Sequence, residues 1–267
     1  MNSLLPNRKF TACPIIGMLH SPALPGAPMS KLSISEIVAR VVADAKTLEK
    51  GGVSGLMLEN FGDTPFYAER VPVEVVAVMT RLACEVKSHV DLPLGINILR
   101  NDGEAALTVA LASGADYIRI NVLTGARVTD QGVINGIAAR LLRLRKQLDA
   151  DRIAIWADVN VKHSQPLGKY SLVDDVTDII KRGHADALIV SGKSTGSPVD
   201  KGELQQVKAI ATDRPVLVGS GVNAANAKGI AGQANGLIVG SSLKADANIF
   251  SPVDLAKVEQ LVQAVNE

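Results

Sequence analysis

The sequence predicts a single closed (β/α)8 barrel, and three observations predict it. Eight short runs rich in Ile, Val and Leu alternate with longer amphipathic stretches. The chain has 267 residues, close to the ~250 typical of eight strand–helix units. Hydrophobic residues make up 47% of it but aromatic ones only 3%, an aliphatic core suited to parallel strands covered by helices. No Pro- or Ser-rich linker divides the chain, so residues 1–267 are read as one domain with 1–12 as an N-terminal extension. An open doubly wound sheet is the alternative, but it has no need of eight evenly spaced strands.

In chain order the strands are PIIGML (14–19), SGLMLEN (54–60), PLGINIL (93–99), DYIRINV (116–122), IAIWADVNV (153–161), ALIVSG (187–192), PVLVGSG (215–221) and GLIVGSS (236–242). The segment SISEIVARVVADAKTLEKGG (33–52) reads as the first helix, because Ile37, Val41, Ala45 and Leu48 share one face. Ser33 with Glu36 matches a capping box, and Gly51-Gly52 a C-terminal stop. Gly-Ala-Asp (114–116) and Gly-His-Ala-Asp (183–186) mark turns that return the chain to the sheet.

Composition excludes several classes. The formal net charge is +1, with both signs mixed along the chain, so no field draws the protein to nucleic acid. No apolar run approaches the ~18 residues of a membrane span, and the N-terminus lacks a signal-peptide pattern. Cys13 and Cys84 stand far apart and read as reduced thiols, which makes the cytoplasm the expected address.

Chemistry in such a barrel sits at the C-terminal strand ends. Read in order, those ends carry His20, Glu59 with Asn60, Asn97, Arg119 with Asn121, Asp158 with Asn160, Ser191, Ser220 and Ser241. The strand starts are apolar or proline. VLVGSGV (216–222) and LIVGSSL (237–243) are near-copies at the seventh and eighth strand ends. Glycine there lets backbone N–H groups approach an anion. Gly219, Ser220, Gly221, Gly240, Ser241 and Ser242 are the expected phosphate cradle, which makes the barrel one of the phosphate-binding type; tight turns at the rim are the plainer reading.

ADVNVKHSQP (157–166) is the densest in chemistry. An extended strand puts Asp158, Asn160 and Lys162 on one side. An acid beside a cation would poise Lys162 or His163 for proton transfer, or would only fill the barrel mouth as an ion pair. Asp158 and His163 lack a second histidine at ligand spacing, so neither a metal nor a cofactor is expected. HSPALPGAPM (20–29) is a stiff, proline-rich loop, and ENFGDTPFY (59–67) holds Phe61, Phe66 and Tyr67. That aromatic loop reads as a lid, a subunit contact or plain packing. The candidate catalytic set is Asp158, Lys162, His163, Glu59 and His20. The candidate substrate contacts are Asn60, Asp63, Asn97, Arg119, Asn121, Asn160, Ser191 and Thr195.

LIVSGKSTGSP (188–198) superficially matches a P-loop, but the glycine required five residues before Gly192 is Ala187, inside a strand. The stretch reads instead as a rim loop. Lys193, on that loop, and Lys162, with Asp158 holding it protonated, are both expected to form no imine with a carbonyl substrate.

GMLHSPALPGAP (17–28), LENFGDTPF (58–66), RINVLTGARVTDQGVINGIAARLLRLRKQL (119–148), ADVNVKHSQPL (157–167), LIVSGKSTGSP (188–198), VLVGSGVN (216–223) and GLIVGSSLK (236–244) together resemble the BtpA/SgcQ family. The resemblance runs through nearly the whole chain. It implies a single TIM barrel of the phosphate-binding type and supplies no reaction. The family's name reflects a role in photosystem I biogenesis in cyanobacteria, although similar proteins occur without photosynthesis and some relatives lie beside sugar-metabolism genes. Two functions are therefore expected to compete. One is an enzyme, a lyase, isomerase or hydrolase, acting on a small phosphorylated metabolite by proton transfer. The other is a non-catalytic assembly or stability factor. A homo-oligomer is compatible with either.

The absent P-loop glycine makes a prediction. ATP and GTP turnover by the purified protein should be unchanged by Lys193→Ala; hydrolysis that vanishes in the variant would contradict the rim-loop reading.

Overall fold

The computed structural model describes Leu4, residues 13–192 and residues 196–267. In chain order, β1 (Ile15–His20) leads to α1 (Ile34–Lys50), β2 (Gly55–Glu59) to α2 (Val73–His89), and β3 (Leu94–Asn97) to α3 (Gly103–Ser113). β4 (Tyr117–Ile120) is followed by β5 (Ala126–Thr129), β6 (Gly132–Asn135) and α4 (Ala138–Gln147). β7 (Ala154–Val159) is followed by β8 (Ser164–Pro166) and α5 (Leu172–Lys181). β9 (Ala187–Val190), α6 (Lys201–Ala211), β10 (Val216–Val218), α7 (Ala227–Ala231), β11 (Gly236–Val239) and α8 (Leu255–Asn266) complete the chain. Eight parallel strands close in the order β1-β11-β10-β9-β7-β4-β3-β2. All eight expected strands are present, and the Ser33–Glu36 capping box forms at the start of α1.

The pleat separates the strand residues into two layers. Ile15, Leu19, Leu56, Leu58, Ile96, Ile118, Val190 and Leu237 join the core between sheet and helices. Their alternates, among them Ile16, Met57, Tyr117, Trp156, Ile189, Leu217 and Ile238, fill the lumen, and Leu4 packs with them. The remainder of the expected extension 1–12 lies outside the described residues. Tyr117 and Trp156 stack with ring centroids 3.8 Å apart. Two such rings fit because β3 has a glycine opposite them: a Cβ at Gly95 would come within 2.0 Å of Tyr117 Cε2.

One polar residue just before each second barrel strand seals the start of the preceding strand. Ser54, Asp116, Asp186 and Asn235 accept side-chain hydrogen bonds from the N–H groups of Ile15, Leu94, Ile155 and Val216. The backbone N–H of each returns a bond to the carbonyl of the same partner. The Gly-Ala-Asp and Gly-His-Ala-Asp turns thus end on an aspartate that fixes strand register as well as direction.

Several strands end short of their expected bounds: β9 at Val190, β10 at Val218 and β11 at Val239, because the glycine and polar residues that follow belong to the loops, and β3 at Asn97. β7 stops at Val159 rather than Val161, because Asn160 takes φ 53° and turns the chain. A three-stranded antiparallel sheet in the order β6-β5-β8 stands over the C-terminal face. Its strands are three or four residues long and half-exposed, too short for a periodicity signal. Among the described residues no helix is long and apolar enough to cross a membrane.

Gly95→Ala should cost about 1–3 kcal/mol by overpacking against the Tyr117 ring. Urea unfolding should show a lower midpoint with an unchanged slope.

Candidate active site

Above the Tyr117–Trp156 layer each barrel strand presents one more inward position. These are His20, Glu59, Asn97, Arg119, Asp158, Ser191, Gly219 and Gly240. The first six are polar, and the last two have no side chain. The step from an apolar lumen to this ring creates a polar floor at the C-terminal face.

Arg119 and Asp158 form its centre. Arg119 Nε and Nη2 donate to the two carboxylate oxygens at 3.0 and 2.8 Å, and Asn121 Nδ2 donates to Asp158 Oδ2 at 2.7 Å. Both partners are buried. Burial opposes the Arg119 charge, but the charge and hydrogen bonds of Asp158 outweigh it and raise the guanidinium pKa. Asn97 Nδ2 donates to the Arg119 carbonyl at 3.1 Å, and among the described residues the buried Asn97 Oδ1 and Ser191 Oγ have no hydrogen-bond partner. The expected Asp158–Lys162 pair is therefore replaced: Asp158 belongs to Arg119 and Asn121.

Lys162 reaches the same cavity from beyond β7. Its Nζ donates to the Gly219 carbonyl at 3.3 Å. Among the described residues it has no ion-pair partner. Burial lowers its pKa to about 8, with Arg119 adding to the shift and Glu59 and Asp158 opposing it. Burial also raises the Glu59 carboxyl, against the pull of Arg119 and Lys162. His20 Nε2 lies 3.9 Å from Glu59 Oε1. This contact is not an ion pair, because burial, then Lys244, Lys162 and Arg119, push the imidazole down to about 3. His20 is neutral, with Nδ1 buried and unpartnered. The cavity thus collects a neutral imidazole, a carboxyl that resists ionisation and an amine that sheds its proton readily.

The two glycine turns border this cavity. His20, Glu59, Arg119 and Lys162 line it together with Gly219–Val222 and Val239–Ser241, and its volume is about 50 Å³. A Cβ at Gly240 would come 2.7 Å from His20 Cε1, and one at Gly219 would come 2.7 Å from Ser191 Oγ. Both glycines keep the cavity floor open. Ser241–Leu243 forms a 3-10 turn, and the backbone N–H groups of Gly240, Ser241 and Ser242 donate to no other described residue. Two serine hydroxyls serve the scaffold: Ser220 Oγ accepts from Gly192 N and donates to the Ser197 carbonyl, and Ser242 Oγ donates to the Val222 carbonyl. Among the described residues no group of three potential ligands could hold a metal ion.

Several candidates lie elsewhere. Asn60 and Asp63 brace the loop after β2, where Asn60 bonds Leu99 N and Asp63, and Asp63 accepts from Leu24 N. Asn160 does not share the lumen with Asp158 and Lys162, because its positive φ swings the side chain out to Arg127 and Glu203. His163 is exposed at the edge of an adjoining cavity that also touches Glu59 and Lys162. Thr195 and Lys193 fall outside the described residues. Sequence reading missed Arg100, which is buried, lines the adjoining cavity and donates to the Lys162 carbonyl. Its only signal was the polar run Arg100-Asn101-Asp102 directly after an apolar strand. Phe61 packs edge-on against His20 at 5.3 Å and against Phe66 at 6.2 Å, and lies 6.3 Å from Phe250. The aromatic loop therefore roofs the cavity.

Comparison with known proteins gives a concordant picture. The BtpA family matches residues 11–267. Photosystem I biogenesis protein BtpA of Synechocystis sp. is 43% identical over 95% of this chain and 88% of its own length. An uncharacterized protein of Thermococcus kodakarensis is 42% identical over 97% of each chain. Among solved structures, N-(5'-phosphoribosyl)anthranilate isomerase from Pyrococcus furiosus superposes with a TM-score of 0.58 at 13% identity, over 95% of this chain and 98% of that one. That likeness is one of fold.

The neutral His20 has a pH consequence. Its folded pKa of about 3 lies below the ordinary histidine value of 6.5, so the unfolded chain binds the extra proton between these values. Stability is therefore lost as pH falls below 6.5. Between pH 7 and pH 5 the wild type should lose about 2 kcal/mol more than His20→Asn, measured by urea unfolding at both values.

Proposed function

The chain belongs to the BtpA family, and from that premise we propose that it is an enzyme acting on a small phosphorylated metabolite by proton transfer. One observation carries the reading: the glycine turns after β10 and β11 and the titratable trio His20, Glu59 and Lys162 line one cavity. The phosphate would sit on the N–H groups of Gly240, Ser241 and Ser242 and of Ser220 and Gly221, where backbone donors meet an anion; the Gly219 N–H is taken by the Val190 carbonyl. Glu59 would move the proton, because burial raises the pKa of its carboxyl and so favours the protonated form that a general acid needs. His20, neutral, would orient the substrate. The Arg119–Asp158 pair would hold a fixed positive edge towards developing negative charge. The name of the Pyrococcus furiosus isomerase with a similar fold refers to a phosphoribosyl compound, which agrees with this reading. A small-molecule role also suits the cytoplasmic address expected from the sequence.

A non-catalytic assembly role, as the name of the Synechocystis relative suggests, draws support from a separate apolar groove where Met29 and Phe250 are exposed. It does not account for the buried acid and imidazole side chains and the half-buried lysine beside them. Burying such groups lowers stability, and a scaffold gains nothing from it.

The test is a thermal-shift series with sugar phosphates and their dephosphorylated counterparts. At a hundredfold excess over Kd, a phosphorylated ligand should add ~2.7 kcal/mol, a rise of about 5 °C for a domain of this size. Ser241→Asp, which sets a carboxylate in the cradle, should abolish the rise. Equal shifts from the dephosphorylated compounds would reject the phosphate assignment.

A further inference from the structure

We propose that the phosphorylated substrate is an aldehyde or ketone and that Lys162 Nζ is the nucleophile that condenses with its carbonyl carbon. This inference rests on the phosphate reading above and names the substrate class for the same cavity.

The geometry reverses what the sequence implied about this lysine. Asp158 is not the hydrogen-bond partner of Lys162: its Oδ1 accepts from Arg119 Nη2, and its Oδ2 from Arg119 Nε and Asn121 Nδ2. Lys244, beside the phosphate turn, is instead paired with Asp44 at 2.6 Å. Lys162 has a neutral acceptor, the Gly219 carbonyl. That contact aims the amine at the turn where the phosphate would lie and does not require a charge on it. The surrounding groups are Arg119 on β4, Asp158 on β7, Glu59 on β2, Arg100 beyond β3 and His20 on β1. Burial and the two arginines favour the neutral amine; Glu59 and Asp158 oppose them. A desolvated lysine beside other cations is the setting that activates an amine nucleophile.

The step balances without a redox partner. The Nζ lone pair adds to the carbonyl carbon, the C=O π pair moves to oxygen, and that oxygen takes the proton that Nζ gives up, so that a neutral carbinolamine forms. The carbinolamine hydroxyl leaves as water with a proton from the Glu59 carboxyl, which lines the same cavity. One C=O bond is replaced by one C=N bond, and one water is released. The resulting iminium withdraws electrons from the neighbouring carbon, and the Glu59 carboxylate left behind can accept the proton that carbon gives up. The imine thus supplies a reason for proton-transfer chemistry in a cavity with no group of metal-ligating residues among the described ones.

The experiment incubates the full chain with glyceraldehyde 3-phosphate, dihydroxyacetone phosphate or pyridoxal 5'-phosphate. Each sample is divided between borohydride reduction with peptide mapping and a thermal shift without reductant. The expected result is a reduced adduct at Lys162, at least tenfold above any other lysine and suppressed by inorganic phosphate. Its yield should rise with pH around a midpoint near 8, not near the ~10.4 of a free lysine. Lys162→Arg should lose the adduct, and Lys31→Arg, on the surface, should keep it. A thermal shift with no adduct at Lys162, or with adducts spread over surface lysines, would overturn the imine and leave the phosphate reading standing. Neither shift nor adduct would overturn both.

Discussion

The site is organised around the buried ion pair of Arg119 with Asp158. Removing two charges from water costs several kcal/mol per ion after relaxation. The protein offsets this with a bidentate contact, a third hydrogen bond from Asn121 and a brace from Asn97 to the Arg119 backbone. A fully satisfied pair of this kind has one geometry, and it fixes the charge pattern around it. Asp158 is engaged by Arg119 and Asn121, and Lys162 bonds a backbone carbonyl instead. The arginine charge in turn helps to keep Lys162 and His20 from holding protons.

This polar layer is tolerable only because the rest of the barrel is firmly built. Below it, Tyr117 and Trp156 plug the lumen. At the opposite end four side chains, spaced at every second strand, close the strand starts with paired hydrogen bonds. Stability is concentrated at the N-terminal face. The C-terminal face is left free to carry glycines, unpartnered polar atoms and groups with displaced pKa values.

The walls of the site come from loops. Arg127 on β5 ties Asn160 after β7 to Asp175 on α5, and lies 5.1 Å from the Tyr170 ring centroid. This network holds the turn that carries the chain to Lys162. Phe61 closes the other side against His20. The walls of the site therefore depend on the small antiparallel sheet and the aromatic loop, not on the barrel alone.

The sequence by itself determined the barrel. Eight apolar runs, a capping box, Gly-Ala-Asp turns and duplicated glycine turns are local patterns, and local patterns are governed by the pleat, the helix repeat and turn chemistry. It also showed which residues stand at the strand ends, since alternation puts Glu59, Arg119 and Asp158 on the inner side. It could not show which of them would pair. Asp158 and Lys162 lie four residues apart and invite a local pairing, yet Arg119, 39 residues away, takes the carboxylate. Asn160 fits the inward alternation, but a positive φ just past the strand end sends it elsewhere. Arg100 is marked in the sequence only by the polar run it begins, and the fold buries it beside the site. Only the tertiary structure decided these points, because charge pairing and burial depend on distance through space, and distance between strands is set by the closure of the barrel.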